Sequence, residues 1–400
     1  MSHDDIWILG VSMTRFGRFG DLDLVSLGSE AAVAALRDAD IGMADVDFIA
    51  CGNLQGPGRV GQRIQKQIGQ TGVPVFNVAN ACATGATAVR AGYLAIKAGE
   101  ADMALAVGVE KLSGAGLLAG NTAVETPERW EPSGSLGAVG PTDGHLGTDT
   151  MAGLFAMVGQ AYRANGASPD FELFARISEK NHAHSTLNPL AAYQKRLSLQ
   201  QIMGDPMISY PNTRAMCSAN CDGAAAAVLV SGERLRSMST EQRRRAVKVS
   251  ASVLVTDPWE QGSHVLEDVN TATRNAARRA YEIAGVDPAD LDLVELHDCF
   301  ATAELVHYDN LMLCEPGGAV DFFESGAPWR DGHLPVNVSG GLQSKGHPVS
   351  ATGIANLYEV ATHLRGEAGD RQITDARVGL THVLGLGVIC AVHVLERAAV

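Results

Sequence analysis

Proline is scarce in this chain of 400 residues, numbering 15, and aromatic residues make up only 5% of it. A low-complexity or disordered chain is excluded, because 46% of the residues are hydrophobic and 19% are charged. Basic residues are outnumbered, 31 Lys and Arg against 45 Asp and Glu, for a net charge of −14. No basic stretch interleaved with aromatics offers a groove for phosphates, so nucleic acid is not an expected partner. No apolar run approaches the roughly 20 residues that span a bilayer. The start, Met1-Ser2-His3-Asp4-Asp5, carries acid where a signal peptide needs base. A soluble, cytoplasmic protein with no membrane insertion is expected. The seven cysteines are odd in number and lack ladder spacing. They read as free thiols, most of them small core hydrophobes.

The length suits two or three domains, and the sequence repeats itself. Residues 35–52 and 280–297 share Ala35/Ala280, Ala39/Ala284, Ala44/Ala289, Asp45/Asp290 and Asp47/Asp292 at one constant offset. Each copy reads as an Ala-rich helix, a short turn and a buried strand. Ala83-Thr84-Gly85 returns as Ala351-Thr352-Gly353, each after an Asn-bearing strand end (Asn77-Val78, Asn337-Val338) and each opening a helix. Each half begins with a β-rich segment, near Ile6 to Val11 and Val247 to Val255. Each closes with a Gly-bearing apolar strand, Met103 to Gly108 and Gly385 to Cys390. Strands alternating with helices argue for βαβ crossovers in a duplicated α/β unit. The stretch 116–245 has no counterpart and reads as a loop domain insertion and a return to the N-terminal half, after an N-terminal half at 1–115 and before a C-terminal half at 246–400.

Three segments carry chemistry. In Asn77-Val78-Ala79-Asn80-Ala81-Cys82-Ala83-Thr84-Gly85-Ala86, one thiol sits among small residues where a strand gives way to a helix. Free N–H groups at such a turn would lower the thiol pKa and receive an oxyanion. The alternative is a buried Cys in an Ala-rich helix. In Glu295-Leu296-His297-Asp298-Cys299-Phe300, an imidazole and a thiol stand at a strand's carboxyl end, where open α/β sheets bind ligands. His297 could donate a hydrogen bond and Cys299 could move a proton. No second ligand pair at metal spacing accompanies them, so no metal is expected. The third segment, Gly340-Gly341-Leu342-Gln343-Ser344-Lys345-Gly346-His347-Pro348, is glycine-rich but lacks the Gly-Lys-Ser/Thr of a phosphate loop. Its position opposite the Cys82 turn in the repeat favours a functional His347. His182 and His184 read as surface or loop-packing residues, Cys217, Cys221 and Cys390 as packing, and Arg243-Arg244-Arg245 as a solvated helix end or linker.

Together these segments resemble the thiolase superfamily. His297-Asp298-Cys299-Phe300 is similar to the signature of its sterol-carrier-protein type, and the resemblance runs almost the whole chain, through Gly10 to Phe16, Lys180 to Ser185, Cys221 to Ala227 and Ser339 to Gly353. It implies a five-layered αβαβα fold of two similar halves with a loop domain over the site. It implies Cys82 as the acylated nucleophile, His347 as its base, His297 as an oxyanion donor and Cys299 as acid/base. The backbone of Cys82 and Gly385 would form a second oxyanion hole. The implied activity is acyl-CoA C-acyltransfer, thiolysis of a 3-ketoacyl-CoA or the reverse condensation. Coenzyme A would serve as co-substrate with no other cofactor, in a homodimer or tetramer. Two positions depart from the pattern: Val383 stands where ordinary thiolases place a Cys, and Ser350 where glycine usually follows Gly-His-Pro. Ser350 is expected near the pocket floor.

Two other readings stay open. A steroid side-chain type of retro-aldolase shares this fold and works with a small OB-fold partner, but the intact Cys82 counts against it. A non-catalytic lipid carrier is the other, and the chain's end at Val400 is expected to leave no room for an appended sterol-carrier domain.

Overall fold

The computed structural model describes residues 5–113, 151–164, 166, 168–256, 269–386 and 388–398. The first half runs β1 (Ile6–Met13), α1 (Leu24–Asp38), β2 (Phe48–Gly52), α2 (Val60–Ile68), β3 (Val75–Val78), α3 (Thr84–Lys97) and β4 (Met103–Glu110). Before its last strand come α4 (Met151–Ala161), α5 (Phe171–Ser185), α6 (Leu199–Met203) and a ribbon of β5 (Met207–Ser209) with β6 (Asn212–Thr213). That last strand is β7 (Gly223–Ser231), and the short helices α7 (Gly232–Arg236) and α8 (Thr240–Arg245) connect it to the second half. There follow β8 (Val247–Thr256), α9 (Val269–Ala284), β9 (Leu293–Glu295), α10 (Ala301–Asn310), α11 (Ala319–Glu324), α12 (Gly341–Ser344), α13 (Val349–Arg365), β10 (Val378–Gly385) and β11 (Ile389–Arg397).

Nine strands form one mixed sheet in the order β3-β2-β4-β7-β1-β8-β11-β10-β9. The duplication is visible in that order. β3-β2-β4-β7-β1 is matched by a single bridge at Val336, then β9-β10-β11-β8. The pairs β2/β3, β2/β4 and β9/β10 are parallel, as βαβ crossovers require, and the remaining pairs are antiparallel. The halves meet at a thin seam, where β1 and β8 pair only through Trp7 with Lys248 and Ile8 with Val247.

Three apolar cores fill the four gaps between five layers, the middle core lying on both sides of α3 and α13. α1 packs Ala31, Ala32 and Ala35 on the outer face of the first half with Leu105, Val107 and Val228. Between the halves lie α3 and α13, with Val89, Ile354, Leu357 and Val360 against Ala106, Leu229 and Leu395. α9 covers the second half's outer face with Ala272, Ala276 and Ala280 against Val392 and Val394. Strands β4 and β7 are buried along their whole length, which is why they read as unbroken apolar runs rather than alternating ones. The expected five-layered α/β architecture is what the chain adopts.

The repeated Ala-Thr-Gly has a steric cause. A Cβ on Gly85 of α3 would stand 2.6 Å from Ser350 O, and one on Gly353 of α13 would stand 2.4 Å from Ala86 N. The two central helices cross where neither has a side chain. Arg245, read as part of a solvated helix end or linker, ties the halves together through Asp38 at 2.7 Å and Glu367 at 2.8 Å.

One element differs from its reading. Residues 385–390 are not a strand: β10 ends at Gly385 and β11 begins at Ile389, so the segment is the turn of a hairpin, with Gly387 outside the described residues. Continuous apolar character hid the reversal, and Val388 completes it with a φ of 46°. The expected domain boundary at 115/116 lies outside the described residues, as do residues 1–4 of the acidic start.

Candidate active site

Cys82 sits one residue before the cap of α3, on an elbow made by Ala81 at φ 46°. The turn is stitched by Ala83 N–H to Asn80 O at 2.9 Å and Thr84 N–H to Ala81 O at 3.1 Å. Thr84 Oγ1 accepts from Asn80 N–H at 2.7 Å and donates to Ala81 O at 2.6 Å. The N–H groups of Ala83 and Thr84 are therefore not free, contrary to expectation. The donors facing the sulphur are those of Cys82 itself and Leu386. The end of β10 reaches this elbow because residue 385 is glycine: a Cβ there would stand 2.8 Å from Asn80 O and 3.1 Å from Ala81 Cβ.

His347 is held on a matching elbow. Gly346 precedes it at φ 118°, and a Cβ there would meet Cys221 Sγ at 2.6 Å. The His347 N–H donates to Ala219 O at 2.9 Å, and its Nδ1 lies 2.7 Å from Thr352 Oγ1. His297 and Cys299 follow the end of β9, where Ser218 N–H donates to Cys299 O at 2.8 Å.

These elements, more than two hundred residues apart in sequence, converge. One donor atom each from Cys82, His297 and His347 lie within 4.8 Å of one another. The two imidazoles meet edge to face, with ring centroids 5.2 Å apart. Cys82 is 3% exposed and His297 and His347 are 0% exposed. Cys299 is buried beside them, and after burial the nearby Cys82 is the largest influence raising its thiol. The Cys82, His297 and His347 donors are also the described group able to meet about a soft cation.

Burial governs the protonation states. The Cys82 thiol is pushed up to about 12, because burial outweighs the two backbone donors. The lowered pKa expected of a helix N-terminus is thus overridden in the resting site. Burial pulls His347 down to about 3, with Lys345 adding to the effect. His297 is held well below the ordinary histidine value by burial and then by His347, His382 and His307. At rest the site contains neutral thiols and neutral imidazoles. Among the described residues, His347 Nε2 and both ring nitrogens of His297 have no hydrogen-bond partner.

Two family models match the chain. The model for "Thiolase, N-terminal domain" matches residues 6–132, and that for "Thiolase C-terminal domain-like" matches residues 260–397. Sterol carrier protein 2 of Oryctolagus cuniculus is 36% identical over 390 residues, covering 96% of this chain and 70% of that protein. Acetyl-CoA acetyltransferase of Methanothermobacter thermautotrophicus is 33% identical over 404 residues, covering 98% of this chain and all of its own. The chain belongs to the thiolase family.

A solved structure, the "Ltp2-ChsH2(DUF35) aldolase", has the same fold, with a TM-score of 0.79, 21% identity and 98% of each chain covered. Within this thiolase the remaining sequence readings sort by burial. His182 and His184 are not at the surface: both are buried in α5. His182 contacts Ser344 Oγ at 3.1 Å and Ala215 O at 3.2 Å, while His184 contacts Asn337 O at 3.0 Å and accepts from Arg330 N–H at 3.1 Å. They pack α5 against the segment from Arg330 to Ser344. Ser350 spends its hydroxyl on Glu110 Oε2 at 2.7 Å, between the halves.

Two residues escaped the sequence reading. His382 in β10 takes the backbone N–H of His297 on its Nδ1 at 3.4 Å, and His307 in α10 lies against His382 with ring centroids 4.5 Å apart. Neither stands at a strand end or in a glycine-rich turn, so no local signal marked them.

Proposed function

We propose that this thiolase is an acyl-CoA C-acyltransferase, cleaving a 3-ketoacyl-CoA with coenzyme A or running the reverse condensation. The convergence of Cys82, His297 and His347 in one buried site carries this reading. The sequence of steps balances without a metal or a further cofactor. His347 Nε2 takes the Cys82 proton as the thiolate attacks the 3-keto carbon, whose oxygen becomes an oxyanion. The bond between C2 and C3 breaks, Cys299 gives its proton to C2, and acetyl-CoA leaves with the acyl group still on Cys82. Coenzyme A then loses its thiol proton to the Cys299 thiolate and attacks the acyl carbon. Acyl-CoA departs, and the His347 imidazolium returns its proton to Cys82.

Because thiol and imidazole are neutral at rest, the charge pair forms only as the oxyanion develops. His297, and the N–H groups of Cys82 and of the Gly385-Leu386 turn, are the donors we assign to the thioester and tetrahedral oxyanions. Removing one such donor typically costs on the order of 100- to 1000-fold in turnover.

The test is chemical. Wild type mixed with acetyl-CoA gains the mass of one acetyl group on the peptide bearing Cys82, and Cys82→Ala gains none. Wild type also cleaves a 3-ketoacyl-CoA only when coenzyme A is added. A wild type that gains no mass under turnover conditions overturns the reading.

The resemblance to the Ltp2-ChsH2(DUF35) aldolase favours a second reading, carbon–carbon lyase chemistry with a small OB-fold partner. Cleavage of a β-hydroxy thioester without coenzyme A, and only with such a partner present, would select it. In either case we place the protein in the cytoplasm, as seven free thiols suit a reducing compartment. Among the described residues no helix is long and apolar enough to cross a membrane. We assign a homodimer to the edge of β3, unpaired on that side among the described residues and beside the Cys82 elbow, where Phe76 and Leu94 are 56% and 48% exposed.

A further inference from the structure

We propose that Asp298 and Glu295 are positioning residues that fix the separation of His297 and His347 by gripping the glycine-rich loop at two points. The inference deepens the acyltransferase reading, since it concerns the spacing of the two imidazoles assigned there. Glu295 ends β9 and Asp298 stands between His297 and Cys299, so both carboxylates are built into the strand end that carries the chemistry.

Each carboxylate reaches across to the loop that delivers His347. Glu295 accepts from Ser339 N–H at 3.0 Å and Ser339 Oγ at 2.5 Å, and pairs with Lys345 Nζ at 3.4 Å. Asp298 accepts from Leu342 N–H at 2.7 Å, Gln343 Nε2 at 3.2 Å, Gln343 N–H at 3.4 Å and Asn181 Nδ2 at 3.0 Å. Both side chains are fully buried. A carboxylate taken out of water costs several kcal/mol and persists only where many donors receive it. Every hydrogen bond Asp298 makes here comes from an N–H donor, and these donors hold its carboxyl against burial and the nearby Glu304, which raise its pKa.

The loop is shaped for this grip. Gly341 adopts φ 59°, and a Cβ on it would stand 2.2 Å from Asp298 Oδ2. From that contact the chain turns through α12 to Lys345, Gly346 and His347. Among the described residues His297 makes no hydrogen bond through its ring, so its place relative to His347 depends on how the strand end and the loop are joined. Asp298 and Glu295 are that joint. A displacement of about 1 Å in a catalytic pair can cost roughly 100-fold in rate.

The experiment compares Asp298→Asn, Gly341→Ala and the double variant with wild type. Asp298→Asn turns an N–H₂ group toward N–H donors, and Gly341→Ala presses on the same contact from the other side. Three readouts are taken: circular dichroism, kcat and KM with a 3-ketoacyl-CoA, and the rate at which iodoacetamide alkylates Cys82. Folded single variants are expected to lose roughly 10- to 100-fold in kcat, with KM held within about threefold of wild type. Cys82 alkylation should slow alongside kcat. The double variant should be no worse than the poorer single, since both break one contact. Folded variants that keep kcat and alkylation within about twofold of wild type, or whose losses multiply, overturn the proposal. Should Asp298→Asn not fold, Gly341→Ala decides by the same readouts, and if neither folds the grip is structural and the proposal falls. A wild type that cleaves no 3-ketoacyl-CoA defeats the acyltransferase reading alone, because the alkylation rates still judge the grip.

Discussion

Thr352 Oγ1 lies 2.7 Å from His347 Nδ1 while donating its own hydrogen to Pro348 O at 3.2 Å. A hydroxyl whose hydrogen is committed can only accept, so the Nδ1 of His347 carries the proton and its Nε2 keeps the lone pair. The tautomer that the proposed deprotonation of Cys82 needs is therefore set by the first turn of α13. Thr352→Val keeps the shape and removes the acceptor. Its kcat is expected to fall roughly 10- to 100-fold, part of what a positioned base supplies, with KM nearly unchanged. Steady-state kinetics with wild-type turnover in Thr352→Val would refute the assignment.

Stability should fall on the acid side well before carboxylates titrate. His307, His347 and His393 are held to about 3 and His363 to about 4, all by burial first. His182, His184, His297 and His382 are lowered for the same leading reason. Each has a folded value below its unfolded one of about 6.5, so below that pH the unfolded chain binds protons that the native state refuses. Stability is thus lost as pH falls through the window from about 6.5 toward 3, at about 1.4 kcal/mol per pH unit for each proton taken up. Glu110, Glu295 and Asp298, raised by burial, act with the opposite sign, three groups against eight. Burial also raises all seven thiols, so stability falls again above about pH 9 as the unfolded thiols ionise. Urea midpoints measured from pH 4.5 to 10, taken as a rough span of these windows, should trace a dome. A midpoint that does not move between about pH 7 and 5 contradicts it.

The candidate site was legible where it interrupts an apolar pattern. Cys82 among alanines, His297 and Cys299 after a buried strand, and His347 between glycines all stand at strand ends or turns, where a polar group has no packing reason to be. The halves were legible because Gly85 and Gly353 must recur wherever the central helices cross. His307 and His382 were not, since one sits within a helix and the other within a strand, and only the pairing of β9 with β10 brings His382 to His297. A buried ion pair was hidden for a related reason. Lys180 and Glu304 pair at 2.8 Å with no exposure, a pairing that depends on α5 packing against α10 and leaves no mark in either segment.

Ser350 is the repeat counterpart of Cys82, as Ala351-Thr352-Gly353 is of Ala83-Thr84-Gly85. Its hydroxyl supports Glu110, whose carboxylate also receives Asn53 Nδ2 at 3.1 Å and Leu54 N–H at 3.0 Å. Ser350→Gly leaves that buried carboxylate one donor short and is expected to cost about 1–3 kcal/mol of stability. The ratio of kcat/KM for short and long 3-ketoacyl-CoA substrates should stay within about twofold, since the hydroxyl faces Glu110. Denaturation curves and that ratio check both halves of the statement. A large shift in chain-length preference would return Ser350 to the acyl pocket.

Gly385 offers the sharpest separation of catalysis from folding. Its missing side chain lets the β10–β11 hairpin rest on the Cys82 elbow, and a Cβ would press on Asn80 O at 2.8 Å, Ala81 Cβ at 3.1 Å and Ala83 N at 3.2 Å. Backbone cannot yield as a flexible side chain does, so Gly385→Ala must push the hairpin and the elbow apart. The neighbouring Leu386 N–H then leaves the sulphur it faces, and the oxyanion site proposed there loses a donor. Turnover is expected to fall about 100- to 1000-fold. The melting transition should move little, because β10 keeps its ladder with β11 from Val378 to Leu384. Crystals of the variant should show the elbow and hairpin separated by several tenths of an ångström. Full turnover in Gly385→Ala, with the hairpin in place, would mean that the oxyanion is held by other donors.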